Sequence, residues 1–280
     1  MPELPEVERI RRTLEPALTG ARFDRVVLNR QDLRRPFPAD FVRRLRRHTV
    51  RALTRRGKYL LAELSSGETL VMHLGMSGWF RVEPTRQLRR QPRDREADLE
   101  RRHDHVIFTM SSGMTVTFND PRRFGVMDLL PAAGRPHPSL ARMGLEPLSR
   151  AFDARALASR CAGRRIALKV ALLDQRVVAG IGNIYASEAL HLARLSPLRP
   201  ASTIATAAGA ARPGGQRLAA AIKSVLRRAL TLKDSDDYRH TRFRVYDREG
   251  ERCVTAGCRG VIARIEQAGR STFHCPVCQL

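Results

Sequence analysis

Four of the five cysteines, Cys253, Cys258, Cys275 and Cys278, crowd into the last 28 residues as C-x4-C, sixteen residues, then C-x2-C. A segment that short cannot bury a core of its own, so it needs a cross-link to hold a shape. The first residues carry Glu3, Glu6 and Glu8 and no apolar h-region, which argues against export and therefore against two disulfides. Paired thiolates on one tetrahedral zinc are the natural reading, with a redox or metal-free role as the alternative. The intervening RGVIARIEQAGRSTFH reads as a strand over Val261–Ile265, a turn at Ala268 and Gly269, and a strand over Ser271–His274. Such a hairpin returns the chain to the second cysteine pair. The fifth cysteine, Cys161, lies alone in a helical pattern and is expected to be a small buried apolar residue.

Charge narrows the partner. The 280 residues hold 51 Lys and Arg against 28 Asp and Glu, a net charge of +23. A polyanion is expected, nucleic acid first and an anionic membrane surface second. No apolar run approaches the length that spans a bilayer, and a cytoplasmic location is expected. Lys58, Lys169, Lys223 and Lys233 are the only lysines. Arginine fits a GC-rich genome, and its fork also suits phosphate oxygens.

Periodicity divides the chain. Val7, Ile10, Leu14 and Leu18 have helical spacing, so residues 5–19 should form an amphipathic helix ended by Gly20. RFDRVVLN, KYLLAELS, ETLVMHL, WFRVE, DHVIFTM, MTVTF and FGVMDLL follow as strands, which predicts a β-sandwich or barrel. QLRRQPRDREADLERRH has no apolar face and reads as a solvated loop. The stretch from Pro131 to Pro147 is rich in proline and glycine and reads as a linker. ARALASRCA, RIALKVALLDQ, NIYASEALHLARL and GQRLAAAIKSVLRRAL are helical in period, with ASTIATAAGAARPGG a low-complexity loop between them. The fold class is α+β. Its expected parts are a β-rich domain, sandwich or barrel, at 2–130, a linker at 131–150, a helical domain at 151–244 and the four-cysteine hairpin, read first as a zinc site, at 245–280.

MPELPEVE, RRGKYL, HLGMSG, NDPRRFG, LLDQRVVAGIGNIYASEAL and the four-cysteine hairpin together resemble one family in order, from residue 2 to residue 278. That family is formamidopyrimidine-DNA glycosylase, which removes oxidised purines from double-stranded DNA and nicks the strand at the abasic site. The resemblance implies a monomeric glycosylase/lyase with a helix–two-turns–helix domain and one structural zinc.

The resemblance also assigns roles, and the chemistry suits them. Removal of Met1 would free the amine of Pro2, and an α-amino group titrates near ~7.7–8.0. Part of it is therefore neutral at pH 7 and able to attack the deoxyribose C1′. The iminium that forms would drive β- and then δ-elimination. Glu3 would protonate the sugar oxygen and shuttle protons, and Glu6 would orient the site. Lys58 and Arg270 would grip phosphates beside the lesion. Met76, Arg122 and Phe124 would fill the gap left by the everted base. His73 and Asn183 would contact the DNA, and Lys169 would help to handle oxidised purines.

Taken singly, several of these residues have plainer readings. Lys58 could be solvated at a strand edge, Met76 and Phe124 could pack in the core, and Lys169 could snorkel from a helix. Gly180 and Gly182 could let the backbone approach a phosphate, or could equally form a turn that joins two helices.

One stretch departs from the family. LRRALTLKDSDDYRHTRFRVYDREGE lacks the usual Gly-Gly, and its loop is several residues short. The resemblance makes that loop the cap over the everted oxidised purine. Its shortening puts lesion recognition in question and leaves Pro2, Glu3, Lys58 and Arg270 untouched. The competing functions are an endonuclease VIII-like enzyme on oxidised pyrimidines or abasic sites, and a non-catalytic zinc-bearing DNA-binding protein.

Overall fold

The computed structural model describes residues 1–88, 101–132, 137–231 and 243–280. Most of the polar run after Gln87, and the core of the expected base-capping loop at 232–242, lie outside the described residues. The chain forms two compact units, one of Met1–Pro2 with Glu6–Ala141 and one of Glu3–Pro5 with Arg142–Leu280.

In the first unit, helix α1 (Leu4–Leu18) starts one residue before the periodicity suggests and carries Pro5 in its first turn, where a missing N–H costs nothing. Val7, Leu14 and Leu18 bury its apolar stripe. Two four-stranded antiparallel sheets complete the unit. One runs β1 (Phe23–Leu28), β6 (Asp104–Met110), β7 (Met114–Asn119), β5 (Trp79–Pro84). The other runs β2 (Val50–Arg56), β3 (Tyr59–Leu64), β4 (Thr69–His73), β8 (Val126–Leu130). Two short helices, α2 (Phe41–Leu45) and α3 (Thr85–Leu88), lie between strands, and α2 buries Phe41 and Leu45 in the same core. Phe23, Phe108 and Phe118 from the first sheet share that core with Leu60, Leu64 and Leu70 from the second, so the sheets form a sandwich. Strand β2 has no counterpart in the segments expected from alternation. A bulge between Val50 and Ala52 shifts its register and breaks the period of two.

The second unit is helical up to its last segment. Helices α5 (Ala154–Cys161), α6 (Leu168–Leu173), α7 (Asn183–Leu192) and α8 (Pro213–Thr231) pack around Leu157, Leu172, Leu190, Leu218 and Ile222. Of the expected linker, Pro138–Ala141 is a short helix, α4. Leu145 forms a parallel bridge with Val178, where the second unit begins. Likewise, ASTIATAAGAARPGG is not all loop. Ala201–Ile204 is a 3-10 turn that buries Ala201 and Ile204, and Pro213 opens α8. Cys161 is fully buried, and burial pushes its thiol up to about 11, as an inert packing residue requires. The terminal hairpin pairs β9 (Ala263–Gln267) with β10 (Arg270–His274), so the first strand starts two residues later than expected. Ala268 and Gly269 both take positive φ, which suits a two-residue hairpin turn.

Residues Glu3–Pro5 belong to the second unit for a clear reason. The Leu4 N–H donates to the Gly180 carbonyl at 3.0 Å, and Leu4 is fully buried in the helical core. Glu3 is 2% exposed. Its carboxylate accepts the N–H groups of Gly182 and Ile184 at 2.8 Å each and of Tyr185 at 3.3 Å. These are amides at the start of α7, which have no partner within the helix, so a carboxylate there satisfies them and complements the helix dipole. A Cβ on Gly182 would lie 2.4 Å from the Glu3 carboxyl carbon, and one on Gly180 would lie 2.8 Å from Leu4. The close approach these glycines permit is therefore to the N-terminal segment. Gly182→Ala should destabilise the protein by about 1–3 kcal/mol through overpacking, read as a lowered Tm in thermal denaturation. An unchanged Tm would mean that Glu3 can move away freely.

Candidate functional site

In the first unit the expected residues gather on neighbouring turns. Lys58 follows Gly57 in the turn from β2 to β3 and is buried, 6% exposed, rather than solvated. His73, at the end of β4, is in register with Tyr59, and the two rings stand 4.7 Å apart. Burial, with the cations Lys58 and Arg34 adding to it, lowers His73 to about 4, so the ring is neutral at pH 7. Its Nδ1 accepts the Gly75 N–H at 3.0 Å, which leaves the ring proton on Nε2 as a donor.

The HLGMSG and DPRRFG turns are packed back to back. A Cβ on Gly75 would stand 2.4 Å from the Phe124 backbone carbon, so only glycine allows this approach. Buried Asp120 fixes both turns by accepting the Ser77 hydroxyl at 2.6 Å and the Gly125 N–H at 2.7 Å. Above this base Met76 is 44% and Phe124 38% exposed, so neither is a core residue. The Arg122 guanidinium lies 4.7 Å from the centre of the Phe124 ring. A thioether, a ring and a guanidinium thus project together from one rigid base. Glu6, on α1, is half-buried and accepts Arg9 Nη2 at 3.2 Å.

In the second unit Asn183 opens α7 and donates through Nδ2 to the Ser271 carbonyl at 2.9 Å. Lys169 is fully buried and does not snorkel. Its ammonium reaches Asn183 Oδ1 at 2.6 Å, Thr272 Oγ1 at 2.5 Å and the Ser271 carbonyl at 3.1 Å, one acceptor for each of its three protons. Burial, and then the nearby Arg270 charge, lower it to about 8, while Glu3 opposes the shift. Lys169 and Asn183 therefore tie β10 to the helices immediately beside the exposed Arg270. Pro2, directly before Glu3, is half-buried.

The four sulfurs of Cys253, Cys258, Cys275 and Cys278 lie within 4.8 Å of one another. The Cys253–Cys278 and Cys258–Cys275 separations are 3.7 and 3.6 Å. Zinc–sulfur bonds of about 2.3 Å at tetrahedral angles require edges of about 3.8 Å, so the residues fit the ion. Burial and the neighbouring thiols push Cys278 up to about 12, so four thiolates would not persist together without a cation. The Thr255 and Gly260 N–H groups point at the Cys253 and Cys258 sulfurs at 3.5 and 3.4 Å.

Two residues of α7 escape a reading of the sequence. Glu188 is buried and accepts the N–H groups of Arg244, Val245 and Tyr246 at 2.9–3.0 Å. His191, one turn further on, reaches Cys253. Both partners lie more than fifty residues away in sequence, and no local pattern marks them.

Known proteins match this chain along its full length. The family model for the formamidopyrimidine-DNA glycosylase N-terminal domain matches residues 1–127, and that for the formamidopyrimidine-DNA glycosylase H2TH domain matches residues 143–239. A formamidopyrimidine-DNA glycosylase of Rhodopseudomonas palustris (strain BisA53) is 54% identical over 292 aligned positions, with all of both chains covered. The crystal structure of the MutM (Fpg) protein from Thermus thermophilus superposes with a TM-score of 0.79 at 37% identity, covering 99% of this chain and 98% of that one. A complex of Lactococcus lactis Fpg with DNA containing an abasic site gives 0.81 at 27% identity, covering 99% of each chain. The two family models between them cover most of the chain and the curated relative covers all of it, so the chain belongs to the formamidopyrimidine-DNA glycosylase family.

Proposed function

We propose that this protein is a bifunctional DNA glycosylase and abasic-site lyase of base excision repair, with Pro2 as its nucleophile. The observation that carries the reading is the fixed N-terminal segment. Glu3 is held by three amides of α7 and Leu4 by Gly180, so the residue before them has a defined place at the end of the chain. Once Met1 is removed, the Pro2 nitrogen attacks C1′ of the damaged nucleoside, and the base leaves as the C1′–N bond breaks. The sugar ring then opens as the C1′–O4′ bond breaks and O4′ takes a proton, giving an iminium that acidifies C2′; loss of the C2′ proton expels the 3′-phosphate by β-elimination. A second elimination expels the 5′-phosphate. Glu3, next in the chain, moves protons to and from the sugar oxygen.

Met76, Arg122 and Phe124 have the exposure and rigid support that a wedge needs in order to replace an everted base. Lys58, His73, Asn183 and Arg270 supply donors for phosphates, Lys169 holds Asn183 and the Arg270 strand in place, and Glu6 orients the site. The partner is double-stranded DNA with damaged bases or abasic sites, met by a monomer in the cytoplasm at the nucleoid. Among the described residues no helix is long and apolar enough to cross a membrane. Pro2→Gly should slow single-turnover cleavage of an abasic duplex by at least about tenfold, equivalent to about 1.4 kcal/mol. A chain that keeps Met1 should be inactive. Full activity with Met1 retained would remove Pro2 from the chemistry.

One structural zinc on Cys253, Cys258, Cys275 and Cys278 supports the hairpin that carries Arg270. Cys275→Ser should lose metal and DNA affinity together, since the hairpin core is small and metal binding is coupled to folding. Elemental analysis that finds no zinc in active protein would overturn the assignment.

Lesion preference follows from the departure at 226–251. If the shortfall removes two hydrogen bonds to the everted base, each worth about 0.5–1.5 kcal/mol, 8-oxoguanine excision falls roughly five- to a hundredfold. Cleavage at an abasic site, which needs no grip on a base, is unaffected. Single-turnover rates on both substrates, beside those of a relative with the longer loop, provide the check. Equal 8-oxoguanine rates would show the missing residues to be dispensable.

A further inference from the structure

The helix that receives Glu3 at its start approaches the cysteine cluster at its other end. His191, in the last turn of α7, is 1% exposed, and its Nε2 lies 3.3 Å from the Cys253 sulfur and 4.0 Å from that of Cys278. On the opposite edge of the ring, Arg244 Nε donates to Nδ1 at 3.3 Å. A guanidinium has donors and no acceptor, so Nδ1 must be the unprotonated nitrogen and the ring proton sits on Nε2, facing sulfur. Arg244 is itself held in position, because its backbone N–H donates to Glu188 Oε2 at 2.9 Å one turn earlier on the same helix. Thr255 Oγ1, 3.3 Å from Nε2, is the other polar atom beside that proton.

The four cysteines already make a complete tetrahedral set, which leaves no coordination place for the imidazole. We propose that His191 is an outer-sphere donor that stabilises the Cys253 thiolate of the zinc centre, with Arg244 holding its proton on the sulfur side. The proposal rests on the zinc reading above. An N–H···S bond withdraws electron density from a metal thiolate, lowering its basicity and slowing the protonation by which the ligand is lost. His191 is thus a positioning residue of the metal site. An aromatic residue of similar size would fill the same volume without supplying the proton, and that difference separates hydrogen bonding from packing.

The test uses the full zinc-loaded chain, with His191→Phe and His191→Gln beside the native protein. Zinc is first counted, then its release to an excess of a chromogenic chelator is timed. Cobalt(II)-substituted protein is examined for its sulfur-to-metal charge-transfer band. His191→Phe should bind zinc about 10–100-fold less tightly, the loss that removing an outer-sphere partner produces, and release it correspondingly faster. Its cobalt band should move to longer wavelength, because an unrelieved thiolate gives up charge more easily. His191→Gln, which keeps an N–H, should restore both properties to near the native values. Should His191→Phe not fold, Arg244→Met leaves the ring in place but frees its tautomer, and the same changes are expected with smaller size. A native protein without zinc would overturn the zinc reading, and this proposal with it. Native zinc content with unchanged release and an unchanged cobalt band in the folded variants would overturn the proposal alone.

Discussion

Burying the carboxylate of residue 3 is the constraint on which the rest of the arrangement depends. An ionised group removed from water must find compensating partners or it destabilises the fold by several kcal/mol. Glu3 finds them in the amides of Gly182, Ile184 and Tyr185, which a helix start leaves unsatisfied. The demand is mutual, since α7 needs an acceptor there and has no side-chain cap of its own. Gly182 must remain without a side chain, Leu4 is drawn into the helical core, and Pro2 is left at the end of a fixed segment. The place of the proposed N-terminal nucleophile follows from satisfying one buried acid.

The same helix organises the other end of the unit. Lys169 and Asn183 bond to Ser271 and Thr272 of β10, beside Arg270, and Glu188 gathers the amides that lead into the cysteine segment. The hairpin has only a small core of Val245, Ile262, Phe273 and two cysteines. Its stability therefore rests on the four-cysteine cluster, with the zinc proposed for it, and on polar ties to α7. In an interior of low dielectric such ties are strong when every group is matched, as the three protons of Lys169 are.

Much of this architecture is legible in the sequence. Strands with strict alternation, the apolar stripe of α1 and the cysteine spacing are local signals, and the fold carries α1 and the first hairpin strand within a residue or two of where the pattern places them. Strand β2 escapes because its bulge breaks the alternation. The short buried turn at Ala201–Ile204 escapes because alanine-rich sequence carries little periodicity. Of the site, Asn183 at a helix start follows from local chemistry, and the importance of Glu3 from the family resemblance. Its partners do not follow, because they lie some 180 residues away and only the fold brings them to it. Glu188 and His191 are hidden for the same reason. Gly180 and Gly182 are recognisable as places of close approach, but what approaches is Leu4 and Glu3. The exposure of Met76 and Phe124 cannot be read from residue type, since a thioether and a ring suit a core equally well.

The central claim is that the fixed start of the chain presents a secondary amine to the sugar. It is tested most directly by reducing the protein with borohydride on a duplex containing an abasic site and mapping the covalent adduct by mass spectrometry. The account predicts a single adduct on the N-terminal peptide, at the nitrogen of Pro2, with Met1 absent. An adduct on a peptide containing Lys58 or Lys169, or no adduct despite strand cleavage, would contradict it.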